Sequence, residues 1–125
     1  MIVLGAAPAQ IEDTFAQTVE AQQYTMQLLR PGASCKEVFT QFNSYLQSRN
    51  LPAERRLHCH SQGYEVVERP LIRDDETMDI AAGMNIGIHP SIFNASMFVT
   101  VCDNFLVTHA EPERLHATPQ RIFEA

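Results

Sequence analysis

At 125 residues, with 45% hydrophobic and 19% charged residues, the chain has room for one domain (residues 1–125) with an ordinary core, which excludes disordered, collagen-like and coiled-coil chains. Its net charge of −6 disfavours a phosphate backbone as partner, and Arg55-Arg56 is too short a basic run to reverse that. No apolar run approaches the roughly 20 residues that span a bilayer, so neither nucleic acid nor membrane is an expected partner.

Met1-Ile2-Val3-Leu4-Gly5 reads as a strand with no hairpin partner before it, so an upstream piece or a second chain is expected to complete it. From Ile11 the apolar residues Phe15, Val19, Met26 and Leu29 recur at multiples of three and four, and Glu12 and Asp13 favour a helix N-terminus. A long amphipathic helix is therefore predicted up to Arg30-Pro31-Gly32, where proline restricts the preceding residue and glycine permits a turn. Ser34-Cys35-Lys36-Glu37 has the capping-box pattern, and Val38, Phe42, Tyr45 and Leu46 line one face of a second helix ending near Asn50.

After Leu51-Pro52 the pattern changes to short extended segments: Leu57 to His60, Gly83 to His89, Met97 to Cys102 and Phe105 to Thr108, with Asp103-Asn104 as a tight turn. Arg73-Asp74-Asp75-Glu76 reads as a solvated loop. A helix pair followed by antiparallel strands predicts an α+β domain whose helices cover one face of a curved sheet and leave the other free for a site. Strand alternation puts His58 and His60 on one face, sets Asn85, Gly87 and His89 opposite Met84, Ile86 and Ile88, and sets Cys102 opposite Val101. The polar faces are expected to meet in one cavity lined by His60, Glu65, Glu68, His89 and Cys102. His109 and His116 read as surface or packing residues. Cys35, Cys59 and Cys102 are an odd set with no close pairing, which predicts reduced thiols and a cytoplasmic protein.

Three segments in order carry a family resemblance: Cys59-His60-Ser61-Gln62-Gly63 leading to Val67-Glu68-Arg69-Pro70, then Ile88-His89-Pro90, then Val101-Cys102-Asp103. With the opening strand, the long helix and the Pro31-Gly32 turn, they resemble the C-terminal half of the pita-bread fold shared by creatinase, aminopeptidase P, prolidase and methionine aminopeptidase. The resemblance implies a two-metal hydrolase centre built from two aspartates, a histidine and two glutamates. His60 stands at the histidine position, whereas His89 and Cys102 replace the two glutamates and Val67 replaces a second, substrate-contacting histidine. The aspartates would lie upstream of Met1.

Such a metal pair needs anionic oxygens that bridge two cations and activate a water between them. The leading expectation is therefore a relative of the Xaa-Pro peptidases that has lost the dinuclear site and keeps a cavity for a small molecule or short peptide, with no cofactor. In that reading His60 and Glu68 are the acid–base candidates, and Glu65 and Val67 line the ligand. One alternative is a hydrolase with a mononuclear zinc site from His60, His89 and Cys102, of which a Cys102 thiolate nucleophile is a variant. Another is a non-catalytic half-domain that works as a homodimer or with a chain supplying the missing half.

Overall fold

A computed structural model describes residues 1–125. The elements run β1 (Ile2–Val3), α1 (Ala9–Leu28), α2 (Cys35–Ser48), β2 (Cys59–Ser61), β3 (Glu68–Leu71), β4 (Asn85–Ile88), β5 (Ser91–Phe93), β6 (Phe98–Thr100), β7 (Asp103–Leu106), β8 (Glu113–Arg114) and β9 (Phe123–Glu124). The expected α+β arrangement holds. No helix is long and apolar enough to cross a membrane.

Helix α2 follows its sequence signal: Ser34 caps it by accepting the Glu37 N–H, and Cys35, Val38, Phe42 and Leu46 are its buried face. Helix α1 also packs its predicted apolar residues, with Phe15 and Leu29 buried and Ile11, Val19 and Met26 against the core clusters, but it buries a polar line as well. Its buried line is Thr14, Thr18, Ala21, Gln22 and Thr25, joined by Phe15, while Val19 and Met26 are half-buried. Small residues let α1 lie close to both α2 and the strands. Their polarity is absorbed locally, because Thr14, Thr18 and Thr25 return their hydroxyls to the carbonyls of Gln10, Thr14 and Ala21 at 2.7, 2.7 and 3.1 Å.

The main sheet has the order β3-β2-β4-β7-β8 and is antiparallel throughout. Its helix-side face supplies Cys59, Ile86, Ile88 and Phe105 to a core completed by Leu29, Cys35, Val38, Ile72, Ile80 and Val107. At the far end of that face Asp103 is buried and paired: its Oδ1 meets Arg114 Nη2 at 2.7 Å, and its Oδ2 accepts from Gln120 Nε2 at 2.7 Å. Gln120 also donates to Gln22, whose own Nε2 donates to the Ile88 carbonyl at 2.9 Å. This chain of bonds ties α1, β4, β7, β8 and the C-terminal segment together.

Four expectations are corrected. Asp103-Asn104 forms no turn, since both lie within β7, paired with Ile88 and Gly87 of β4. The preceding segment leaves the main sheet, and β6 instead pairs with β5 in a separate hairpin. The turn of that hairpin is held by Asn94 Oδ1, which accepts the Ser96 and Met97 N–H groups at 2.8 and 3.1 Å. Strand β3 escapes sequence reading because Pro70 argues against a strand; it is an edge strand, where a missing N–H is tolerated. Finally, β1 has a partner within the chain: it pairs in parallel with β9, Ile2 opposite Phe123 and Val3 opposite Glu124. Sequence proximity could not disclose a pairing across the whole chain.

Arg73–Glu76 is only partly the solvated loop expected from its charge. Arg73 and Asp75 form an exposed pair at 3.0 Å, whereas Glu76 is 6% exposed. Its carboxylate accepts the N–H groups of Leu71, Thr77 and Met78 at 3.0, 2.8 and 3.1 Å and is gripped by the Arg69 guanidinium. The Arg69 hydrogen bonds hold this carboxyl at about 2, against the upward push of burial and with help from the backbone N–H donors. The depressed value means that stability from ionised Glu76 is present above the ordinary value of 4.5 and is lost as pH falls toward 2. Glu76→Ala, which orphans three backbone donors, is expected to lower the melting temperature by about 5 °C or more. Glu76→Gln should recover part of that loss, because its amide oxygen still accepts. Equal melting temperatures for wild type and Glu76→Ala would refute the clamp.

Candidate functional site

The helix-free face of the sheet is built on one cross-strand row. His60 of β2 lies opposite Gly87 of β4, which lies opposite Asn104 of β7. Because residue 87 is glycine, the floor between the flanking side chains is bare. A methyl group there would stand 3.6 Å from His60 Cε1 and 3.9 Å from Asn104 Nδ2, so both side chains lean over the same backbone atom. Asn104 Nδ2 donates to Gln62 Oε1 at 2.8 Å and to Asn85 Oδ1 at 2.9 Å. Sequence reading missed this amide cluster because it assigned Asn104 to a turn. The available signal was Asn85, two residues from Gly87 and so on the same face.

His60 is buried, and its Nδ1 lies 2.8 Å from the Ser61 carbonyl oxygen. A carbonyl only accepts, so Nδ1 carries the proton of the neutral ring and Nε2 keeps a free lone pair. The His89 ring lies 5.0 Å away. Its pKa is lowered by burial first and by the neighbouring His60 second, which favours a neutral imidazole. His58 does not share this face as alternation predicts. It precedes β2, is fully buried, and stacks on Phe42 of α2 with ring centroids 3.7 Å apart. Neither of its ring nitrogens has a hydrogen-bond partner, and burial, with a smaller contribution from His89, pushes its pKa down to about 3.

The remaining candidates are dispersed. Glu68 turns into the 62–67 loop, where its carboxylate accepts the Glu65 N–H and packs against Gly63. It does not pair with Arg69 or Arg73, which are engaged by Glu76 and Asp75. Glu65 and Val67 are exposed on that loop, beside the exposed Tyr64 and Val66. Cys102 is exposed in the link between β6 and β7 and lines a polar cavity of about 280 Å³ with Asp103, Arg114 and His116. Partial desolvation, then the Asp103 carboxylate, raise its pKa, opposite to what a thiolate nucleophile needs. His116, which reads as a surface residue, places Nδ1 3.2 Å from Asp103 Oδ1. All three cysteines are free.

The structure thus brings His60 and His89 together on one face but does not gather a ligand set. No three His, Cys, Asp or Glu side chains stand close enough to hold one metal ion. The donors at the positions implied by the resemblance are two imidazoles and a thiol, with no carboxylate to bridge two cations. The residues of this chain do not by themselves fit a dinuclear centre.

Comparison with known proteins agrees with this architecture. The sequence matches metallopeptidase family M24 over residues 1–109. No curated protein matches the sequence. Among solved structures, X-Pro aminopeptidase from Thermotoga maritima superposes with a TM-score of 0.89 at 16% identity, covering 99% of this chain and 36% of that one. Prolidase from Pyrococcus furiosus gives 0.82 at 24% identity, covering 94% and 35%. The N-terminal domain of FACT complex subunit SPT16 from chickpea, Cicer arietinum, gives 0.76 at 12% identity, covering 94% and 32%. The chain therefore spans about a third of the length of the structures it matches.

The unpartnered His58 generates a pH prediction. Its pKa falls from an ordinary 6.5 to about 3 on folding, so the unfolded chain binds more protons between those values. The stability of the neutral ring is fully present above pH 6.5 and is lost progressively as pH falls toward 3. Unfolding free energy should fall by up to about 1.4 kcal/mol per pH unit from this group. In denaturant titrations at pH 7, 6 and 5, His58→Phe, which keeps the stack on Phe42, should show a clearly shallower slope. Identical slopes would sink the assignment.

Proposed function

The chain belongs to metallopeptidase family M24, and from that membership we propose that it binds a small molecule or short peptide on the helix-free sheet face without assembling the dinuclear peptidase centre. The observation that carries the reading is the His60–Gly87–Asn104 row. It combines a lone pair fixed on His60 Nε2 with an amide cluster pinned by mutual hydrogen bonds, both over a floor free of side chains. A peptide presents the complementary groups, an N–H for the imidazole and a carbonyl for the amide donors. Neutral His89 at 5.0 Å adds a second ring without adding charge. The solved Xaa-Pro peptidases of the same fold make Xaa-Pro dipeptides the first ligands to test. Glu68, whose carboxylate fixes the loop carrying Glu65 and Val67, is turned away into that loop, which leaves His60 as the acid–base candidate of the row.

The test measures metal content after dialysis against chelator and after zinc or manganese addition, together with calorimetric binding of an Xaa-Pro dipeptide in chelator. The expected result is saturable, metal-independent binding that His60→Ala weakens about tenfold, corresponding to about 1.4 kcal/mol. Stoichiometric zinc retained by wild type and lost in Cys102→Ser would replace this reading with the mononuclear zinc hydrolase.

A second reading, a non-catalytic half-domain acting through assembly, draws on one further finding. The same fold occurs in a domain of a FACT complex subunit, and this chain covers about a third of each matched structure. It predicts a solution mass above 14.1 kDa by light scattering, as a homodimer or after addition of a complementary chain. A strict monomer at high micromolar concentration would count against the homodimer.

A further inference from the structure

The segment after α2 crosses between that helix and the β5–β6 hairpin, and a cavity of about 400 Å³ lies beneath it. Its walls are apolar: Phe42 and Leu46 from α2, Pro52 from the crossing segment, and Pro90, Ile92 and Phe93 from the hairpin. Phe42 is buried and stacks on the His58 ring. A second cavity of about 240 Å³ shares Glu54, Arg56, Ser91 and Phe93 with the first and is also lined by His89. The volume and lining of the first are those of a small-molecule site rather than a packing defect.

Two cations, Arg55 and Arg56, line the first cavity. The side chains that form ion pairs with carboxylates in this protein are Arg49, Arg69, Arg73, Arg114 and His116. Arg55 and Arg56 form none, although the chain carries a net charge of −6. Glu54 lines the same cavity and offsets one of the two positive charges; one of its carboxylate oxygens accepts the Arg56 N–H at 2.6 Å, and the Glu54 N–H donates to Asn43 Oδ1 of α2 at 2.7 Å. These bonds fix the backbone that carries both guanidiniums at the cavity's edge.

We propose that this cleft is a binding site for a small apolar carboxylate, an aromatic or branched aliphatic acid, whose body fills the Phe42–Ile92 cavity while its carboxylate is held by Arg55 and Arg56. The unpaired charge selects an anion, and the planar guanidinium matches a planar carboxylate. The apolar walls select a ligand whose other end is hydrocarbon. The site is the first cavity, which none of His60, Gly87, His89 and Asn104 lines.

The probe is 3-phenylpropionate, with 3-phenylpropanol as its uncharged counterpart, titrated into the full chain by calorimetry and by NMR shifts. Saturable binding of the acid at least tenfold tighter than the alcohol is expected. Arg55→Gln/Arg56→Gln should lower affinity for the acid at least tenfold and leave the alcohol unchanged. Ala53→Phe, which fills the cavity from its exposed edge, should abolish both. Unchanged melting temperatures in these surface variants separate lost binding from lost fold. His60→Ala should leave the acid's affinity unchanged, which distinguishes this cleft from the face proposed above. Equal affinities for acid and alcohol, full binding by the double variant, or no saturable binding would overturn the proposal.

Discussion

The organisation of the molecule depends on the alternation of β4, a four-residue strand bonded on both sides. Ile86 and Ile88 enter the core under the helices, and Asn85 and Gly87 face the other way, with His89 following in the same sense. A slip of one residue against β2 or β7 would put the isoleucines in water and amides in the core, so packing fixes the register. That register alone sets His60, Gly87 and Asn104 in one row.

Burial of polar groups is the second organising feature, and nearly every case is hydrogen-bonded. The α1 threonines turn back on their own helix, Gln22 and Gln120 relay from the Ile88 carbonyl to Asp103, and Glu76 gathers three N–H groups and a guanidinium. Such networks are costly to break, because a single deletion orphans several buried partners. The exceptions are Arg114 Nε and His58, whose two ring nitrogens are both unpartnered. Its stacking on Phe42 and its downshifted pKa keep it an uncharged aromatic filler at neutral pH.

The chemistry of the family resemblance and the chemistry of these side chains diverge on a common backbone. A fold fixes where strands place side chains; the reaction depends on which atoms stand there. At the positions that the resemblance implies, imidazole and thiol stand where a metal pair would need anionic oxygens to bridge it. The sheet-face row offers hydrogen-bonding capacity without strong charge, while two of the cations without an ion pair, Arg55 and Arg56, line the cavity beside α2.

Much of the architecture was legible in the sequence, because helix signals are local and period-bearing. The Ser34 cap, the Pro31-Gly32 break and the α2 stripe each act within a few residues. So does the alternation of β4, and the ordered motifs around His60, His89 and Cys102 were enough to point to the family. Tertiary structure decided what depends on distant partners. It paired β1 with β9 across the chain, drew Asp103-Asn104 into β7, and buried a threonine line of α1 alongside its apolar one. It also turned His58 into the helix layer, Glu68 into its own loop and Cys102 away from any shared ligand set. The physical reason is common to all of these. Local sequence sets which backbone shape each segment prefers, whereas convergence of side chains is set by packing between segments far apart in the chain.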